Sequence, residues 1–127
     1  MPLEALLRSI EPGDYLAVNA FIPRNSATAA RLSTVRRALA IRLGVPVPAG
    51  FGPRFLHSTG QLHKGGPATG AFIEVIDEAA YDLAIPGKPY TFRQLFDAQA
   101  LGDVAALLGR GRRAARVTLE QLEASAR

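Results

Sequence analysis

Both histidines of this 127-residue chain, His57 and His63, fall inside the fourteen residues Arg54-Phe55-Leu56-His57-Ser58-Thr59-Gly60-Gln61-Leu62-His63-Lys64-Gly65-Gly66-Pro67, together with one of its two lysines. Imidazole titrates near neutral pH, so His57 or His63 can accept and return a proton, as ring opening or proton transfer on a sugar requires. Ser58 and Thr59 set two hydroxyls beside Gly60, and Gly65-Gly66 follow Lys64 directly. Hydroxyls, backbone N–H groups that glycine leaves open to close approach, and an ammonium group together make an anion-binding concavity, with phosphate the expected anion. The Gly-x-x-x-x-Gly-Lys-Ser/Thr spacing of a nucleotide-binding loop is absent. Two histidines six apart with no third ligand nearby do not make a metal site, so neither metal nor cofactor is expected. The competing reading makes Ser58, Thr59 and the glycines turn formers and the histidines hydrogen-bonded staples of a loop.

The elements around this stretch must position it. Leu3, Leu6, Leu7 and Ile10 stand at helical spacing in a short helix from Pro2 to Ile10 that Glu11-Pro12-Gly13 stops. Asp14 to Ile22 is a nearly continuous apolar run, the pattern of a strand covered on both faces. Asn25 or Ser26 caps the next helix, which carries Leu32, Val35, Leu39 and Leu43 as one apolar stripe and closes at Gly44. Val45-Pro46-Val47-Pro48 is an edge strand or extended connection, because each proline lacks a ladder donor. Gly50 to Gly70, with six glycines and two prolines, reads as one long structured loop. Ala71 to Ile76 is a second strand, and Ile85 to Tyr90 a turn. Thr91 caps a helix to about Leu108, broken or bent near Gly102, with Phe92, Phe96, Val104 and Leu108 inward. Arg113 to Leu119 is a last strand and Glu120 to Ala126 a terminal helix. Strands alternating with helices predict an α/β layered, mostly parallel sheet flanked by helices in a single domain over residues 1–127; a ferredoxin-like α+β arrangement is the alternative.

Composition narrows the partners. A hydrophobic fraction of 48% fits a packed core, and no apolar run approaches the ~20 residues of a membrane span. No secretory signal is visible at the N-terminus, so a cytoplasmic location is expected. Without cysteine there are no disulfides and no thiolate chemistry. Arginine supplies 13 of the 15 basic residues and the formal charge is +4. Arg31, Arg36, Arg37 and Arg42 on one helix, and Arg110, Arg112, Arg113 and Arg116 near the end, are spread and not interleaved with aromatics. They read as solvated surface, and nucleic acid is not the expected partner.

The stretch Arg54 to Pro67, followed by a short apolar strand, closely resembles the C-terminal end of bifunctional transaldolase/glucose-6-phosphate isomerase proteins. The similarity runs from Gly13-Asp14-Tyr15 through Pro86-Gly87-Lys88-Pro89-Tyr90-Thr91-Phe92 and Ala98-Gln99-Ala100-Leu101-Gly102-Asp103 to Arg116. The resemblance implies a partial sugar isomerase (SIS-like) domain and the interconversion of glucose 6-phosphate and fructose 6-phosphate through an enediol, without a metal. It implies a histidine that assists ring opening, His57 with His63 as the alternative. Arg54, Ser58, Thr59, Gly60, Gln61, Lys64, Gly65 and Gly66 are the corresponding candidates to contact the sugar phosphate. Isomerases of this type use a glutamate base, and no glutamate stands near this stretch: Glu74 lies in a predicted strand, Glu120 and Glu123 in the terminal helix. The chain therefore resembles about the last third of such an enzyme. It is expected to act as a homo-oligomer or with a partner chain that completes the site, or as a non-catalytic assembly module that keeps the fold.

Overall fold

The structure, a computed structural model, describes residues 1–52, 70–76, 86–109 and 112–127. In chain order these form α1 (Leu3–Arg8), β1 (Tyr15–Phe21), α2 (Ser26–Leu43), β2 (Ala49–Phe51), β3 (Gly70–Ile76), α3 (Phe92–Gly109), β4 (Arg113–Thr118) and α4 (Leu119–Ala126). The strands make one sheet in the order β2-β1-β3-β4, and every described pairing is parallel. A ferredoxin-like sheet needs antiparallel neighbours, so that alternative is overturned and the layered α/β expectation stands.

Side-chain alternation sorts the sheet into two cores. Leu16, Val18 and Ala20 of β1, Ala71, Ile73 and Val75 of β3, and Ala115 and Val117 of β4 face α1, α2 and α4. Leu32, Val35 and Leu39 answer from α2 as the helical spacing predicts, while Leu43 is only partly buried. Each fully buried leucine of this kind contributes about 1.5–3 kcal/mol. Ala17, Phe72 and Ala114 point to the other face, where Val104 of α3 packs on them with Tyr15. Helices on opposite faces are what right-handed crossovers require when the β1–β2 and β3–β4 connections advance in opposite directions along a sheet.

Local chemistry sets the boundaries. Asn25 accepts from Thr28 N at 2.9 Å while Thr28 Oγ1 accepts from Asn25 N at 3.0 Å, a reciprocal cap that starts α2. Gly44 ends that helix at φ +69°, in the left-handed region where a Cβ is disfavoured. Thr118 and Gln121 repeat the capping box at α4, whose first residue is Leu119, so β4 stops at Thr118.

Of the two readings of residues 45–48 the extended connection holds, and other expectations need correction. The edge strand is Ala49–Phe51; residues 45–48 run alongside β1 as an extended connection, with the carbonyls of Pro46 and Pro48 accepting from Leu16 N and Val18 N. Proline supplies those acceptors but has no N–H to return to β1, so the regular ladder begins only at Ala49. Gly50 and Gly70, read as the ends of a loop, belong to strands. Helix α3 continues through Gly102 without a break, since a glycine weakens a helix by only ~1 kcal/mol. Leu108 is largely exposed, not inward; the Phe92 and Phe96 side chains lie outside those described. Arg31 and Arg42 are more than solvated charges: Arg31 bridges to Glu120 and Glu123, and Arg42 donates to the Ser125 carbonyl, tying α4 to α2.

One ion pair fastens the amino end of the sheet. Arg113 donates to Asp14 Oδ2 at 3.0 Å and to the carbonyl and hydroxyl of Ser9 at 2.8 and 2.9 Å. The backbone N–H of Glu11, and then Arg113, hold the Asp14 carboxyl below its ordinary value of 3.8. A depressed carboxylate adds stability that is fully present above its unfolded value and is lost as the pH falls through the folded one. Arg113→Met should therefore lower the urea midpoint at neutral pH. The gap between variant and parent should narrow below pH 3.8, as Asp14 protonates in both. An unchanged gap in acid would remove Asp14 from the account.

Candidate functional site

In open parallel sheets, ligands bind outside the carboxyl ends of the strands, at the point where neighbouring connections leave in opposite directions. Here that point lies between β1 and β3: from β1 the chain moves to β2 on one side, and from β3 to β4 on the other. A cleft of about 230 Å³ opens beside it, with Ile22, Ile76 and Leu119 among its walls and Asn25, Arg31 and Glu120 among its polar residues. Arg31 is committed, donating through Nε and Nη2 to Glu123 at 3.1 and 2.6 Å and through Nη2 to Glu120 at 3.3 Å. Donation to Glu123 above all holds Arg31 protonated beyond its ordinary range, and Arg31 in turn holds the Glu123 carboxyl below its ordinary value.

All ten residues singled out in the sequence, Arg54, His57, Ser58, Thr59, Gly60, Gln61, His63, Lys64, Gly65 and Gly66, lie outside the described residues. The described chain brackets them. Gly52 N donates to Ala20 O at 2.7 Å, which places the exit from β2 at the carboxyl edge of the sheet. Gly70 opens β3 beside Tyr15 at the amino edge. Arg54 follows Gly52 by two residues, a reach of about 7 Å at full extension. The motif thus follows, in sequence, a strand that ends at the edge where this fold class binds ligands.

The other face of the sheet carries a polar group that sequence reasoning passed over. Asn19, Glu74 and Arg116 are register partners across β1, β3 and β4. Asn19 Nδ2 donates to Glu74 Oε1 at 3.0 Å, with Asn19 only 6% and Glu74 0% exposed. A buried carboxylate is tolerated only where hydrogen bonds replace its water. The signal was present in each strand alone, as one polar residue inside an otherwise apolar run. What was missing was the register that sets the two side by side.

No family model and no curated protein matches the chain. Among solved structures, the hypothetical protein TT0462 from Thermus thermophilus is similar with a TM-score of 0.69 and 21% identity over 90% of this chain. That match covers 31% of the Thermus protein, so the chain spans about a third of its length. A de novo designed Rossmann fold protein, ROS2_835, aligns over 88% of this chain and 92% of its own at 9% identity, with a TM-score of 0.49. No helix among the described residues is long and apolar enough to cross a membrane. What the Thermus likeness carries is the fold: a parallel α/β sheet layered between helices.

Proposed function

We propose that the chain is a partial SIS-like, sugar-phosphate isomerase-related domain that binds glucose 6-phosphate or fructose 6-phosphate, in the cytoplasm, and completes an active site with a second copy or a partner chain. One observation carries the reading. A segment holding two imidazoles, two hydroxyls, an ammonium and paired glycines begins two residues beyond the carboxyl edge of an all-parallel sheet. In this reading His57, or His63 in its place, assists ring opening. Ser58, Thr59, Gly60, Lys64, Gly65 and Gly66 hold the phosphate, and Arg54 and Gln61 contact phosphate or sugar hydroxyls. The glutamate base comes from the partner.

The test is thermal stability with fructose 6-phosphate, because a ligand that binds only the folded state raises the melting temperature. His57→Ala and Lys64→Ala should each weaken binding or turnover while leaving unliganded stability as it was. A charge-assisted hydrogen bond of about 1.5–3 kcal/mol corresponds to a ten- to hundredfold loss for Lys64→Ala. Parent-like behaviour of both variants would remove the site. A second reading, an assembly module without catalysis, is favoured by the uncharged exposed positions Gln94, Ala98, Leu101, Ala105 and Leu108 of α3. An isomerase assay on the chain, alone and with a candidate partner chain, separates the two.

A further inference from the structure

Helix α3 turns an uncharged stripe to solvent. Gln94, Ala98, Leu101, Ala105 and Leu108 are all exposed, Leu101 at 56% and Leu108 at 48%. Their spacing is 4-3-4-3, the interval that keeps a seam facing a second helix along its whole length. Surface helices of globular domains normally put charge on this side. On α2 the corresponding outward positions include Arg37 and Arg42, whereas no stripe position of α3 is charged.

The order of residue sizes in the stripe selects the occupant. Its apolar part reads Ala, Leu, Ala, Leu at 98, 101, 105 and 108. Laid antiparallel against itself about the level of residue 103, Ala98 meets Leu108 of the second copy and Leu101 meets its Ala105. Every large side chain then faces a small one, as interdigitating layers require, and two-fold symmetry repeats each contact. Gly102 is exposed beside this centre and a Cβ built there meets nothing within 4 Å, which leaves room for the helices to approach closely. We propose that α3 is a self-docking surface on which two copies of this chain pair antiparallel through Ala98, Leu101, Ala105 and Leu108. A single helix pair buries less than the roughly 800 Å² per partner of a standard interface, so the dimer is a weak, concentration-dependent one.

Sedimentation velocity over a concentration series tests this, with circular dichroism as the check on folding. The parent should pass from monomer to dimer as concentration rises. Leu101→Glu and Ala105→Lys, both at exposed positions, should each stay folded and weaken dimerisation at least tenfold. Mixed together they should pair again, because the carboxylate introduced at position 101 of one copy would face the ammonium introduced at position 105 of the other, while the second Leu101–Ala105 contact stays native. A parent that is monomeric at every concentration leaves the stripe to a different chain and overturns the proposal. Variants that dimerise like the parent, or a mixture that stays monomeric, overturn it as well.

Discussion

Asn19→Leu is expected to destabilise the fold by about 3 kcal/mol, and Asn19→Leu combined with Glu74→Leu by distinctly less than the sum of the two single changes. The reason is the asymmetry of buried hydrogen bonding. Asn19 Nδ2 lies 3.0 Å from Glu74 Oε1 in the middle of the sheet, and neither residue has appreciable contact with water. Removing the donor alone leaves a buried carboxyl group with one fewer hydrogen bond, a loss of about 1–3 kcal/mol. Replacing both partners by apolar groups removes the need for the bond. Chemical denaturation of the four proteins in the double-mutant cycle gives the coupling energy directly. A coupling below about 0.5 kcal/mol would mean that Asn19 is not what makes the Glu74 carboxylate tolerable there. Glu74→Gln is the informative companion: it keeps an acceptor for Asn19 and should cost less than Glu74→Leu.

Elements whose causes are local were legible in the sequence. Asn25 and Gly44 mark the ends of α2 because a side-chain acceptor and a left-handed glycine act on the nearest turn of backbone. The apolar runs of β1 and β3 announce strands with both faces covered, and both are buried along nearly their whole length. Less local features were not legible. Two prolines left residues 45–48 open between an edge strand and an extended connection; the structure has the connection, and the ladder begins at Ala49, where free donors resume and Gly52 can reach Ala20. The lateral order of the strands, and with it the pairing of Asn19 with Glu74 across 55 residues, depends on crossover handedness and register rather than on any window of sequence.

The candidate stretch Arg54 to Pro67 is legible only as composition. Its residue types name the chemistry they can do, and the residues themselves lie outside the described ones. The 17 positions between Gly52 and Gly70 carry every histidine of the chain. The glutamate that the sequence reading placed merely in a strand is the one carboxylate among the described residues that the fold buries completely. Its neighbours across the register, and not its neighbours along the chain, decide its environment.

Gly70→Ala is expected to cost about 1–3 kcal/mol and Gly70→Val more, although the position looks like the permissive end of a glycine-rich stretch. Its backbone does not adopt positive φ, so conformational freedom is not what glycine supplies here. It supplies room. A Cβ would stand 2.5 Å from Tyr15 Cζ, 2.6 Å from its hydroxyl and 2.8 Å from Phe72 Cζ. One exposed ring could swing aside, but these two rings lock each other edge to face at 5.9 Å, and Phe72 is fully buried. Burial also raises the Tyr15 phenol above its ordinary value, as expected of a ring held partly out of water. Moving either ring opens space on the face that α3 covers, and overpacking of this kind costs about as much as the strain it transmits. Tyr15→Leu should therefore relieve part of the Gly70→Ala penalty while being mildly destabilising alone. Thermal unfolding of the single and double variants measures this. If Gly70→Ala melts with the parent, the two rings are free to separate, and the tight contact at the start of β3 is not what requires glycine.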